Sequence, residues 1–128
     1  MTQEEKELVL KDICTRLPYG VHVEISWEYS KTDVYTSLEY YEFPNIDSLL
    51  NIFWDEKCIS IKPYLRSMSS MTEEEDMRRC AFLDDIEGGV EDAIPNYIDW
   101  LNKHYFDYRG LISKGLALEA PVDMYKVL

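Results

Sequence analysis

Cysteine is scarce in this chain and poorly placed for pairing. Cys14, Cys58 and Cys80 are odd in number, and no Cys-x-x-Cys pair occurs. A disulfide framework needs an even set and a zinc ribbon needs clustered thiols, so neither is supported. Histidine is scarcer still, with only His22 and His104. No apolar run approaches the ~20 residues that cross a bilayer as a helix, which argues against a membrane span. No Gly-x-Gly-x-x-Gly or Walker pattern surrounds Gly88, Gly89 or Gly110, so a phosphate-cradling loop has no support. Bases are also few: 13 Lys and Arg stand against 25 Asp and Glu, a net charge of −12. Met1 to Glu7 is acidic where a secretory leader is basic and then apolar, so the expected compartment is the cytoplasm.

What is abundant is apolar and aromatic. The 128 residues are 46% hydrophobic, with 3 Trp, 10 Tyr and 4 Phe. A chain of this size buries roughly two-thirds of its unfolded surface, enough for one domain spanning residues 1–128. Intrinsic disorder requires the opposite composition. The acidic excess is uneven along the chain. Between Glu73 and Asp99 there are ten acids and two bases, Arg78 and Arg79, a local charge of −8. Such a field repels phosphate backbones, so direct nucleic-acid binding is not expected.

Thr2 and Glu5 have capping-box spacing, and Leu10, Ile13, Cys14 and Leu17 recur at helical steps until Pro18-Tyr19-Gly20. Val21, Val23, Ile25 and Trp27 alternate with polar residues, as do Val34, Thr36, Leu38 and Tyr40 beyond a polar turn at Ser30 to Asp33. The two runs read as an antiparallel hairpin. Pro44-Asn45 breaks the pattern, and Asn51 to Trp54 fits either a helical turn or a strand. After a turn at Asp55 to Lys57, Cys58 to Leu65 alternates as a further strand. In it Pro63, lacking a donor, marks an end or an edge. Arg66 to Met71 reads as a connector.

Thr72 and Glu75 repeat the capping box, with acids Glu73 to Asp76 in the first turn where the helix dipole favours them. That helix should end at Gly88-Gly89. Val90, Ala93, Ile94, Tyr97, Ile98 and Leu101 then form the clearest amphipathic stripe in the chain, with Pro95 acceptable in a first turn. Leu116 to Leu118 suits a short strand or a docked tail. The expected fold is α+β: an N-terminal helix and a small antiparallel sheet over residues 1–65, then a mainly helical 72–128.

Two stretches are more distinctive. Lys62-Pro63-Tyr64-Leu65-Arg66 leads into Met68-Ser69-Ser70-Met71-Thr72-Glu73-Glu74-Glu75. Asp99-Trp100-Leu101-Asn102 leads, through His104, into Phe106-Asp107-Tyr108-Arg109-Gly110-Leu111-Ile112 and Gly115-Leu116-Ala117-Leu118-Glu119-Ala120. Together they resemble the signature of a family of small uncharacterised proteins encoded in gut-bacterial genomes and their prophages. The family pattern usually has Pro where this chain has Ser67 and often His where it has Tyr105. The resemblance implies a mobile-element setting and carries no assigned activity.

Candidate chemistry is thin. His22 lies on the polar phase of its strand, as a surface imidazole would. His104, beside Asp99 and Asp107, could serve as a general base in a small enzyme, although a histidine closing a helix end is the more ordinary role. Asp84-Asp85-Ile86-Glu87-Gly88-Gly89 gathers oxygen ligands without the alternating spacing of an EF-hand loop, so no metal or cofactor is implied. Tyr29, Tyr35, Tyr40 and Tyr41 either form a recognition surface or cover a small sheet. Trp100 and Phe106 are expected in the core, and Arg109 is expected to pair with an internal carboxylate or cap carbonyls, with Asp107, Tyr108 and Gly110 around it. The reading that results is a non-enzymatic module whose partner is another protein, with Trp100, His104, Asp107, Tyr108, Arg109 and Gly110 as its candidate interaction or structural motif. The alternatives are an acidic mimic of nucleic acid and an enzyme built on His104.

Overall fold

In the computed structural model, residues 1–27, 33–35, 50–51, 54–55 and 58–125 are described. The hairpin turn at Ser30, the outer strand positions Thr36, Leu38 and Tyr40, and the tyrosines Tyr29, Tyr40 and Tyr41 lie outside them, as does the Pro44-Asn45 break.

Helix α1 (Gln3–Arg16) starts at Thr2, whose hydroxyl accepts from the Glu5 amide while Glu5 accepts from the Thr2 amide. Leu17–Tyr19 tighten into a 3-10 turn, and Gly20, at φ 77°, takes the left-handed conformation that lets the chain reverse. Strand β1 (Val23–Trp27) pairs antiparallel with β2 (Asp33–Tyr35) on one side and with β3 (Cys58–Leu65) on the other. Beyond a three-residue 3-10 turn at Met68–Ser70 come α2 (Glu73–Glu87) and α3 (Ala93–Lys103). A two-residue β4 (Leu118–Glu119) completes the order β2-β1-β3-β4 by pairing parallel with β3. The fold is thus α+β, an antiparallel sheet with one short parallel strand added, and no described helix is long and apolar enough to cross a membrane.

The period-two patterns resolve as one-sided burial. Val21, Val23 and Ile25 are buried with Cys58, Ile61 and Leu65, and Val9 and Ile13 of α1 cover them. Pro63 falls inside β3 yet costs no ladder bond. Tyr64 donates to His22 O on the β1 side, while Leu65 O accepts from Ala120 on the other. Backbone groups alternate in direction along a strand, so Pro63 spends its missing N–H on the outer edge, before the β4 pairing begins at Tyr64. Leu50 and Asn51 are helical and Trp54 N donates to Leu50 O over 2.9 Å, so the described part of the Asn51–Trp54 segment is a helical turn.

The second half is less helical than its composition suggests. Regular helix ends at Lys103, and residues 104–117 form a tightly hydrogen-bonded series of turns that contributes Tyr105, Phe106, Leu111, Leu116 and Ala117 to the buried interior. The capping box at Thr72 forms as expected, Gly89 takes φ 71°, and Pro95 falls in the first turn of α3.

Candidate functional site

Asp12 and Arg16 stand one helical turn apart on α1 and are both fully buried. Arg16 donates twice to the Asp12 carboxylate, through Nε and Nη2 at 3.0 Å each, and Nη2 also reaches Phe106 O at 2.7 Å. Arg109 Nη1 donates to Asp12 Oδ1 at 2.7 Å, so one carboxylate holds two guanidiniums. Both guanidiniums also lie over the Tyr108 ring, at 5.4 and 4.6 Å. Tyr108 Oη donates to Asn102 Oδ1, which Thr15 of α1 also reaches. Asp107 accepts from the amides of Leu111 and Ile112 at 2.8 and 2.9 Å, and Gly110, at φ 72°, makes the turn between them possible. The expectation that Arg109 pairs with an internal carboxylate is met, and the partner is Asp12. Nothing near Arg109 in sequence announces it. The signal sits in α1, where Val9, Asp12, Ile13 and Arg16 share one face at i, i+3, i+4 and i+7.

The two distinctive stretches meet in space. Arg66 N donates to Tyr105 O, Asp107 N donates to Arg66 O, and the Arg66 guanidinium lies 4.4 Å over the Phe106 ring. That guanidinium also makes a bidentate pair with Glu75, at 2.7 and 2.8 Å, which with the α2 cap holds the Glu75 carboxyl down at a pKa of about 2. Beside this pair is a cleft of about 380 Å³, edged by Ser67, Ser70, Thr72 and Glu119. Two of the charges that line it, Arg66 and Glu75, pair with each other.

His104 closes α3 and packs at a tilt against Trp100, with ring centroids 5.2 Å apart. Burial lowers its pKa. No hydrogen bond or ion pair joins it to Asp99, which is exposed, or to Asp107, whose carboxylate the two amides occupy. His22 is not the surface imidazole its strand phase suggests: it is half-buried against Tyr125, whose hydroxyl accepts from the His22 amide. Trp100, expected in the core, is half-buried in a chain of rings running from Phe82 and Tyr97 to Phe106, while Phe106 itself is fully buried. Among the described residues no three His, Cys, Asp or Glu are grouped as a metal site.

Comparison with protein-family models, with curated proteins and with solved structures finds no match.

One feature of the surface lacks a scaffold role. The α3 stripe is covered along one edge only: Ala93 and Leu101 are 6% and 3% exposed, but Ile94 and Ile98 are 57% and 40% exposed, and Val90 in the turn before the helix is 54% exposed. Leu83 and Met77 of α2 are exposed as well, and none of the 15 residues of α2 is buried.

Proposed function

We propose that the protein acts by docking to another protein, as a non-enzymatic accessory module of the mobile-element setting that its signature stretches resemble. The observation that carries this reading is the exposed edge of the α3 stripe, at Ile94 and Ile98. Buried apolar faces are what hold helices in place, and a helical pair that leaves part of its best stripe in water has surface to bury elsewhere. The distinctive residues Asp107, Tyr108 and Arg109 support the reading from the other side. They are engaged in joining α1, α3 and the turns after it, which is the work of a scaffold that presents a surface.

The test is capture with the full chain. The double variant Ile94→Asp, Ile98→Asp should keep the wild-type melt and lose a protein that the wild-type chain retains from its host. Retention of the same protein by the variant at wild-type strength would overturn the reading, as would a chemical turnover that disappears in His104→Ala.

A further inference from the structure

The occupant of this face can be narrowed by charge, on the footing of the docking reading above. Six acids border the Val90–Ile94–Ile98 stripe in the chain: Asp84, Asp85 and Glu87 at the end of α2, Glu91 and Asp92 in the turn, and Asp99 on α3. All six are exposed, and none makes an ion pair among the described residues. The two bases of the segment are already engaged. Arg79 Nε lies 3.3 Å from Asp76 Oδ1, and the Arg78 guanidinium lies 4.9 Å over the Phe82 ring. Neither the acids nor the stripe is neutralised from within the segment.

We infer that this face receives a cationic amphipathic helix of a partner protein, whose apolar stripe packs on Ile94, Ile98 and the preceding Val90 and whose Lys and Arg side chains reach the carboxylates that border them in the chain. Ile94 and Ile98 supply anchors one helical turn apart, the pattern by which a helix docks onto another element. Long basic side chains suit the borders because their methylene stems cover apolar surface while their heads stay beside the carboxylates. The same charges disfavour the other occupants. A second copy would bring an identical acidic border against this one, and nucleic acid or an anionic lipid surface carries the repelled sign. Because opposite charges attract at a distance, complex formation should be fast and strongly salt-dependent.

The experiment titrates the full chain with two synthetic peptides of about 18 residues, long enough for five helical turns. Both carry leucines on one helical face, with lysine at every other position in one and glutamate in the other. The leucine-lysine peptide should bind at least tenfold more tightly than the leucine-glutamate peptide, shifting amide resonances in α2 and α3. The variants Ile94→Asp and Ile94→Asp, Ile98→Asp should each weaken binding tenfold or more at an unchanged melt. Since they add negative charge, plain attraction of a polycation would strengthen instead. Equal or tighter binding by these variants, equal binding of the two peptides, no binding of either, or a dimer in sedimentation that the Ile94→Asp variant abolishes would each overturn the inference. A captured natural partner that needs Ile94 and Ile98 but is neutral or acidic at its contact would overturn this inference alone and leave the docking reading standing.

Discussion

Arg109 and Asp12, 97 positions apart in the chain, are joined by a 2.7 Å hydrogen bond from Nη1 to Oδ1. The contact ties the turn after α3 to the buried face of α1. Asp12 is fully buried and also takes two bonds from Arg16, so its carboxylate is the shared counter-charge of both arginines.

That sharing predicts an order of effects. Asp12→Ala should be the more damaging change, because it strands a fully buried Arg16 without its carboxylate, at a cost of about 3 to 5 kcal/mol. Arg109→Ala leaves Asp12 its bidentate partner and should cost less, about 1.5 to 3 kcal/mol. Thermal melts of the two variants settle it. An Arg109→Ala protein with the wild-type melt would show that the pair contributes nothing to the fold.

Glu75 sets an acid limb. Its carboxyl is held at about 2 in the folded chain against an ordinary 4.5, so the stabilisation is fully present above pH 4.5 and is lost as pH falls toward about 2. Glu75→Gln removes both the Arg66 pair and its pH dependence. The variant should be less stable near neutral pH and should show a shallower loss of stability over that window. The measurement is denaturant unfolding at a series of acid pH values. An acid limb as steep as that of the wild-type chain would point to other carboxyls.

Tyr125 sets the alkaline limb. Its hydroxyl donates to Tyr64 O at 2.7 Å and accepts from the His22 amide at 2.9 Å, and its ring stacks on Tyr105 with centroids 3.6 Å apart. Burial raises its pKa well above the ordinary 10. The folded state therefore favours the neutral phenol, and its contribution is intact below pH 10 and lost as pH rises beyond it. Tyr125→Phe leaves the His22 amide and the Tyr64 carbonyl to be satisfied anew, at about 1 to 3 kcal/mol. In that variant the alkaline loss followed by circular dichroism should be smaller.

Phe106 and Trp100 touch, with ring centroids 5.6 Å apart, but should behave differently. Phe106 is fully buried, and Phe106→Ala should open a cavity costing about 3 to 5 kcal/mol. Trp100 is half-buried where α3 meets Phe82 of α2, so Trp100→Ala should loosen the helical pair more than the sheet. Hydrogen exchange reads this directly: protection should fall in α2 first and change little in β1 and β3. Uniform loss across all elements would place Trp100 in the common core instead.

Much of the fold was legible because local rules act on neighbours in the chain. The boxes Thr2–Glu5 and Thr72–Glu75 start helices because each closes on amides three residues away, and tertiary structure has no say in that. Alternation from Val21 to Ile25 selects one buried face, since successive side chains in a strand point oppositely. Gly20 and Gly89 stop their helices because a left-handed residue costs glycine least.

What tertiary structure alone decided is which charges and which stripes are covered. The i, i+4 spacing of Asp12 and Arg16 is that of any surface pair, and only packing of α1 on the sheet and the 104–117 turns takes them out of water. The stripe from Val90 to Leu101 has the period of a buried face throughout, yet the rest of the domain covers Ala93 and Leu101 and leaves Ile94 and Ile98 exposed. Period encodes which side chains share a face. Whether a neighbour arrives to cover that face depends on contacts between residues far apart in the chain, which no local pattern carries.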